Sequence, residues 1–375
     1  MKLAIMQTYC GASGKKGFYN LQEVGLARAM KALGYEPVVF YPGKRLTEPR
    51  EERTADGIPI VTVPAKAMGV HSRYDWKVLT RYGIEAVHYV GDNQLFAPEL
   101  LRFCRRNHIL AYCYMGATGS DTDHPLKGRV MELLYRRNLR AYRQHKCFAK
   151  TPAVAARLTE LGIADVEVAP VGLDLSVIPE ITEPKPALRE RLGLPGDKTL
   201  LLFVGRLDAY KRPLEAVTLL AALKNQAELV MIGTGAMDAE VEREARRLGV
   251  WDAMHRIARL PNDQVQQYYA ACDYYVNFNE HEIFGMSILE AMYQDCVVLA
   301  CHAPGPDFII EDGVSGFLTE NTDAMAALAR SGVRPVPGAA RKRILEHFVW
   351  TNTAKQFDEW LTEANGRREN GTDYS

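Results

Sequence analysis

The residues best suited to chemistry are gathered at positions 280–292, reading EHEIFGMSILEAM. Glu282 and Glu290 stand on either side of Gly285. An ionised carboxylate only accepts hydrogen bonds, so both suit hydroxyl groups rather than phosphate. Gly285 can take backbone angles closed to other residues and lets a ligand approach closely. The apolar run after it predicts a helix from Met286 to Met292. The amides of Phe284, Gly285, Met286 and Ser287 would then face an anion at a helix N-terminus. Amides for phosphate, flanked by carboxylates for hydroxyls, fit a nucleotide-sugar. The plainer alternative is a surface loop before an amphipathic helix.

A second group lies upstream. The apolar run TLLLFV predicts a buried strand leading into Gly205, Arg206 and, five residues on, Lys211. In an open parallel sheet a ligand sits at the carboxyl ends of the strands. Two cations there would hold a diphosphate, arginine as a fork and lysine as a point charge. A third strand end offers Gly233-Thr234-Gly235, and a fourth is read at Arg259-Leu260, where backbone groups could meet the edge of a base. Each of these loops alone could be an ordinary turn. Convergence of four is the informative feature.

These loops need a scaffold. In the first half, strand-like runs KLAIMQT, PVVFYP, IPIVTVP, EAVHYVG, HILAYCYMG and KCFAKT alternate with helical patterns. Alternation of this kind predicts parallel sheets covered on both faces. The loop after the first strand carries Gly11, Gly14 and Gly17 but not GxGxxG, and no acidic residue closes the second strand, which argues against a nicotinamide site. Residues 168–195 are proline-rich and read as a linker, after which the alternation restarts. Asp121 and Asp123 form an Asp-x-Asp, read as a solvated loop rather than a metal site.

With 375 residues, 47% hydrophobic and 25% charged, the chain is expected to hold two globular domains. Formal net charge is zero. The halves differ, because residues 1–170 contain 25 Lys+Arg against 16 Asp+Glu and carry about +9. An anionic partner for the first half follows from this, and nothing points to nucleic acid. Residues 127–146 form a basic helix pattern, with Lys127, Arg129, Arg136, Arg137, Arg140, Arg143 and Lys146. It could rest on an anionic membrane surface or pack as a surface helix on the sheet. Seven cysteines without a CxxC pair suggest neither disulfides nor a zinc site, hence a reducing compartment. The first residues lack the apolar run of a secretory signal, so the expected location is cytoplasmic, with peripheral membrane contact as an option.

The order PVGLD at 170–174, GRL-x3-K at 205–211, GTG at 233–235 and E-x7-E at 282–290 resembles the retaining nucleotide-sugar glycosyltransferases of family 4. That resemblance implies an α/β chain of the GT-B class, with two Rossmann-like doubly wound domains facing a central cleft. The first would span 1–170, completed by a returning helix in 351–375, and the second 171–350. It implies that Arg206 and Lys211 hold the donor pyrophosphate, Glu282 the sugar hydroxyls and Glu290 the ribose. Amides near Gly285 and Met286 would take the distal phosphate, and Gly17 would face donor and acceptor. His88 matches a histidine often found in the fourth strand. The usual histidine near Tyr114-Met115-Gly116 is missing, His124 being a poor substitute, as is a glycine near Ala258. The expected activity is sugar transfer, UDP-sugar as donor, to a hydroxyl of a glycan, lipid-linked or small-molecule acceptor, without cofactor or metal. A non-catalytic nucleotide-sugar binder, an epimerase and a phosphorylase on the same fold are the alternatives.

Overall fold

The structure is a computed structural model that describes residues 1–10, 21–92, 94–117 and 125–370. The chain divides into two compact units: Met1–Gly172 with Trp350–Ser375, and Leu173–Val349.

The first unit holds strands β1 (Lys2–Gln7), β2 (Glu36–Gly43), β3 (Arg50–Arg53), β4 (Pro59–Met68), β5 (His71–Tyr74), β6 (Ala86–Val90), β7 (Leu110–Met115), β8 (Cys147–Ala149) and β9 (Val166–Val168). Their order is β3-β4-β2-β1-β6-β7-β8-β9, with β5 paired to β4. β1, β2 and the strands from β6 to β9 are parallel, and β1, β2, β6 and β7 are mostly buried apolar runs, as is usual for such sheets. β3 and β5 each pair antiparallel with β4. Their short, charged sequences, REER and HSRY, lack the apolar run that marks a buried strand.

The helix Trp350–Glu369 belongs to this unit. Its Phe357 packs on His88, Tyr112, Tyr114 and Phe148, with ring centroids 4.8–5.7 Å apart. Tyr35 donates to Asp358 at 2.7 Å, and Thr353 donates to the Pro170 carbonyl at 2.7 Å. The basic helix spans Pro125–Tyr142 and stops before Lys146, which instead pairs with Asp165 and Glu167 beside β8.

The second unit holds β10 (Thr199–Val204), β11 (Ala227–Ile232), β12 (Met254–Ile257), β13 (Tyr274–Asn277), β14 (Val297–Cys301) and β15 (Phe317–Thr319). All neighbours are parallel, in the order β12-β11-β10-β13-β14-β15. On one face Leu201, Phe203, Leu229, Met231, Val276 and Leu299 form a core with the helix Pro213–Leu223. The proline-rich stretch is not linker throughout, because KPALRERL folds as the helix Lys185–Leu192. There the Arg189 guanidinium, almost fully buried, pairs with Asp273 at 2.7 Å. At the unit's two ends Leu173 donates to the Phe348 carbonyl at 2.8 Å and bridges Val349 in parallel.

Candidate functional site

The strand order fixes where a site can form. From β10 the chain adds β11 and β12 on one side, then returns to build β13, β14 and β15 on the other. The loops leaving β10 and β13 therefore start at neighbouring strands where the order reverses, the place in such a sheet where a ligand crevice forms.

Close backbone approach shapes the rim. Gly233 has φ 143°, and a Cβ there would lie 1.8 Å from the Gly205 carbonyl oxygen. The Gly205 amide donates to Ile232 O at 3.0 Å, and the Leu207 amide to Thr234 O at 3.0 Å. So the loops after β10 and β11 run backbone to backbone, which only glycine at 233 permits. The loops after β13 and β14 behave alike. A Cβ on Gly305 would sit 2.2 Å from Phe284 O, and the Gly305 amide donates to Glu282 O at 2.8 Å.

Polar side chains then tie the β10 loop to the β13 loop. Lys211 Nζ donates to Glu282 Oε2. Tyr210 OH donates to the His281 carbonyl at 3.0 Å. Arg212 pairs with Glu280 and donates to Phe278 O at 3.3 Å. Asn279 Nδ2 donates to Glu282 Oε2 at 3.3 Å, and the Asn279 amide is itself held by Asn277 Oδ1 at 2.9 Å. The Glu282 side chain is 10% exposed and that of Lys211 22%. Desolvating such a pair costs about as much as its attraction returns, so stability alone does not explain it.

Gly285 has φ 101° and caps the helix Met286–Tyr293. The helix bonds begin with the Ile288 amide on Gly285 O at 3.0 Å, so the amides of Met286 and Ser287 precede the ladder. Phe284 is buried and packs near Phe348. Ser287 Oγ lies 2.6 Å from Tyr275 OH, and burial foremost raises that phenol's pKa, keeping it neutral. Glu290 is buried on the same helix and accepts from Asn262 Nδ2 at 3.0 Å.

Lys211, Glu282, Gly285 and the Gly205–Gly233 contact are thus brought together at the carboxyl ends of β10 and β13. Arg206 is placed differently from Lys211: its side chain is 63% exposed and bonds Asp208 at 3.0 Å. β12 stops at Ile257, so Arg259 and Leu260 lie on a connecting stretch rather than at the strand's last residues. The cause is sequence: Ala258, Arg259 and Leu260 are followed by Pro261, which caps the next helix. Gly17, Asp121, Asp123 and His124 lie outside the described residues. His88 is sealed in an aromatic cage inside β6 and is only 2% exposed. Asp208, Asn262 and Asn279 carry no signal in the sequence, whereas Gly305, within the proline-flanked APGPD, reads as a further glycine-proline turn after a strand.

Residues 184–331 match the family described as glycosyl transferases group 1. Solved structures resemble nearly the whole chain, and two serve as examples. Sucrose-phosphate synthase from Thermosynechococcus elongatus superposes with TM-score 0.78 at 17% identity, covering 98% of this chain and 99% of that one. HepE from Anabaena, solved with UDP-glucose, gives 0.74 at 20% identity, with 97% and 100% covered. The fold is GT-B. The matched stretch 184–331 lies within the second unit, Leu173–Val349. Among curated relatives, the D-inositol 3-phosphate glycosyltransferase of Xylanimonas cellulosilytica is 30% identical over 59% of this chain, an alignment spanning 57% of that protein's own length. The one from Acidothermus cellulolyticus is 26% identical over 92% of this chain and 85% of its own. No helix among the described residues is long and apolar enough to cross a membrane.

Proposed function

We propose that this protein is a retaining, metal-independent glycosyltransferase that moves a sugar from a nucleoside-diphosphate sugar, with UDP as the nucleotide, to an acceptor hydroxyl. The observation that carries this reading is the Lys211–Glu282 pair at the divergence of the β10 and β13 loops, beside the helix start at Gly285. It sets a cation, a hydroxyl acceptor and backbone amides around one crevice. The UDP-glucose in the HepE structure and the names of the inositol-phosphate relatives support it.

In this reading the second unit, Leu173–Val349, takes the donor and the first unit takes the acceptor. Arg206 leaves Asp208 and, with Lys211, grips the diphosphate. The amides of Phe284, Gly285, Met286 and Ser287 take the distal phosphate, and Glu290 accepts from the ribose. The backbone of Arg259 and Leu260 meets the base, while Gly205, Gly233 and Gly17 let the donor approach. Glu282 exchanges part of its bond with Lys211 for the sugar hydroxyls. The bond from the anomeric carbon to phosphate oxygen breaks as the bond to the acceptor oxygen forms on the same face. The acceptor proton passes to the departing phosphate oxygen. Arg206 and Lys211 stabilise the charge growing there, and fixed cations aimed at developing charge are the strongest means such a site has of lowering its barrier.

The acceptor is a glycan, glycolipid or small molecule; the relatives' names point to a phosphorylated polyol. Contact with an anionic membrane from the cytoplasmic side would bring a lipid-borne acceptor within reach. The helix Pro125–Tyr142 supports it, with Val130 56% and Leu133 68% exposed beside exposed Arg129, Arg136 and Arg140.

The test is incubation with a panel of nucleotide-sugars and candidate acceptors, following nucleotide release and the product's anomeric configuration by NMR. The expected result is transfer with retention, unchanged by EDTA. Saturable binding without turnover would make the protein a binder, and an epimerised donor would make it an epimerase.

A further inference from the structure

The first unit has a reversal of strand order of its own. From β1 the chain builds β2, β3 and β4 on one side, then returns to lay β6, β7, β8 and β9 on the other. The carboxyl ends of its central strands are therefore where this sheet offers a place for a ligand.

One cation is turned toward that place. Lys150 follows β8, and its amide donates to the Met115 carbonyl at 2.9 Å. Its side chain runs back over β7. A Cβ on Gly116 would lie 2.8 Å from Lys150 Cδ and 3.0 Å from its Nζ. The ammonium stands 5.2 Å from the centre of the Tyr114 ring. His88 on β6 and Glu23, at the start of the helix Gln22–Ala32, both lie within reach of its charge. Among the described residues no carboxylate pairs with Lys150, whereas nearby Lys146 is held by Asp165 and Glu167. An ammonium partly withdrawn from water, with only a ring face beside it, is short of an anion.

Polar atoms on the same sheet face lack partners too. The register sets Gln7, Val90, Tyr114 and Phe148 in one row across β1, β6, β7 and β8, and Lys150 comes two residues after Phe148. Gln7 Oε1 and Tyr114 OH are buried with no hydrogen-bond partner among the described residues. Gln7 Nε2 is engaged by Glu23 at 3.1 Å, so what Gln7 has left is an acceptor. A carbonyl oxygen takes the proton of a hydroxyl, and an ammonium takes an anion from any direction. A polyol that carries a phosphate answers both. The excess of Lys and Arg over Asp and Glu in residues 1–170 agrees with an anionic ligand on this unit.

We propose that Lys150 is a specificity-determining residue that takes the phosphate of the acceptor, so that sugar is transferred to phosphate-bearing polyols in preference to neutral ones. This rests on the reading of the first unit as the acceptor's side.

The experiment uses the full-length protein with glucose 6-phosphate and myo-inositol 1-phosphate as probes, each beside its unphosphorylated parent. Initial rates are measured with the panel of nucleotide-sugars, and the same four compounds are titrated by calorimetry. Wild type is expected to favour the phosphorylated member by about ten- to a hundredfold, chiefly through KM, the effect of one charge-assisted hydrogen bond. In Lys150→Met the ratio should fall to about one to three, and Lys150→Arg, which keeps the charge, should restore part of it. Gly116 is not in the left-handed region, so Gly116→Ala adds a methyl without backbone strain. That methyl displaces the lysine stem and should lower the ratio with every charge retained. A merely structural role would depress both members of each pair together and leave the ratio alone, which would overturn the assignment. A wild type that treats phosphorylated and neutral acceptors alike would overturn it too, with the transferase left standing. Binding of the phosphorylated probes that depends on Lys150, without transfer from any nucleotide-sugar, would keep the anion site and sink the transferase reading. Neither binding nor transfer would sink both.

Discussion

Lys211 and Glu282, 71 residues apart in sequence, share a hydrogen-bonded ion pair that joins the loop after β10 to the loop after β13. Removing one partner leaves the other charge uncompensated in a half-buried place. Lys211→Ala and Glu282→Ala should each lower kcat/KM for sugar transfer by about 10²–10³-fold, the usual cost of deleting one electrostatic contact to a transition state. Both should also lower the melting temperature. The double variant Lys211→Met/Glu282→Met should recover most of that stability and none of the activity. Scanning calorimetry beside initial rates separates the two effects, and a fully active double variant would remove the pair from the site.

Gly233 gives a purely steric prediction. A Cβ at this position meets the Gly205 carbonyl oxygen at 1.8 Å; the oxygen is backbone and the Cβ is fixed by backbone, so neither can rotate away. Gly233→Ala should destabilise the protein by about 2–4 kcal/mol, in the range of strained backbone plus a displaced ladder. Gly193→Ala is the control. Its φ of 67° carries left-handed strain as well, but no atom lies near its added Cβ. Urea denaturation should show the smaller loss at 193.

His88 predicts how stability changes with acid. Burial, with the nearby Lys150 charge adding, holds its pKa down to about 3. In the unfolded chain a histidine takes its proton near pH 6.5. The unfolded state therefore binds more protons between these values, and the stability gained from a neutral buried His88 is lost as pH falls from about 6.5 toward 3. The slope from this group approaches about 1.4 kcal/mol per pH unit. Denaturation midpoints at pH 7.5, 6 and 5 should fall accordingly, and His88→Phe should flatten the slope.

Thiol chemistry offers a simple count. All seven cysteines are free, and six of them are buried. Burial raises the thiol of Cys104 to about 12, that of Cys296 to about 12 and that of Cys301 to about 11. Thiolate is the reactive form, so these groups should be silent at neutral pH. Ellman's reagent on the native protein should label Cys10 alone within minutes, and all seven only after unfolding.

The sequence carried much of this architecture because its central strands are apolar on both faces. KLAIMQ and TLLLFV read as buried parallel strands whatever surrounds them. REER and HSRY did not, since edge strands with charged side chains lack that pattern. At the site, Gly285 and Glu282 were legible from local spacing, whereas the partner of Lys211 was not. The loop leading to Lys211 and the loop holding Glu282 meet only because β10 and β13 are neighbours, which is a property of strand order. Asn262 was invisible for the same reason. An asparagine after proline reads as a helix start, and its distant carboxylate is supplied by the fold.

The second unit begins and ends at adjacent points, with Leu173 bonded to Phe348 and bridged to Val349. The first unit takes its last helix, Trp350–Glu369, from beyond that point. On the ribosome, therefore, the earlier-synthesised unit must wait with His88, Tyr112 and Phe148 uncovered until the later one has emerged entirely. A nascent chain arrested before residue 350 should present that aromatic surface to chaperones, so the order of synthesis and the order of completion run opposite ways.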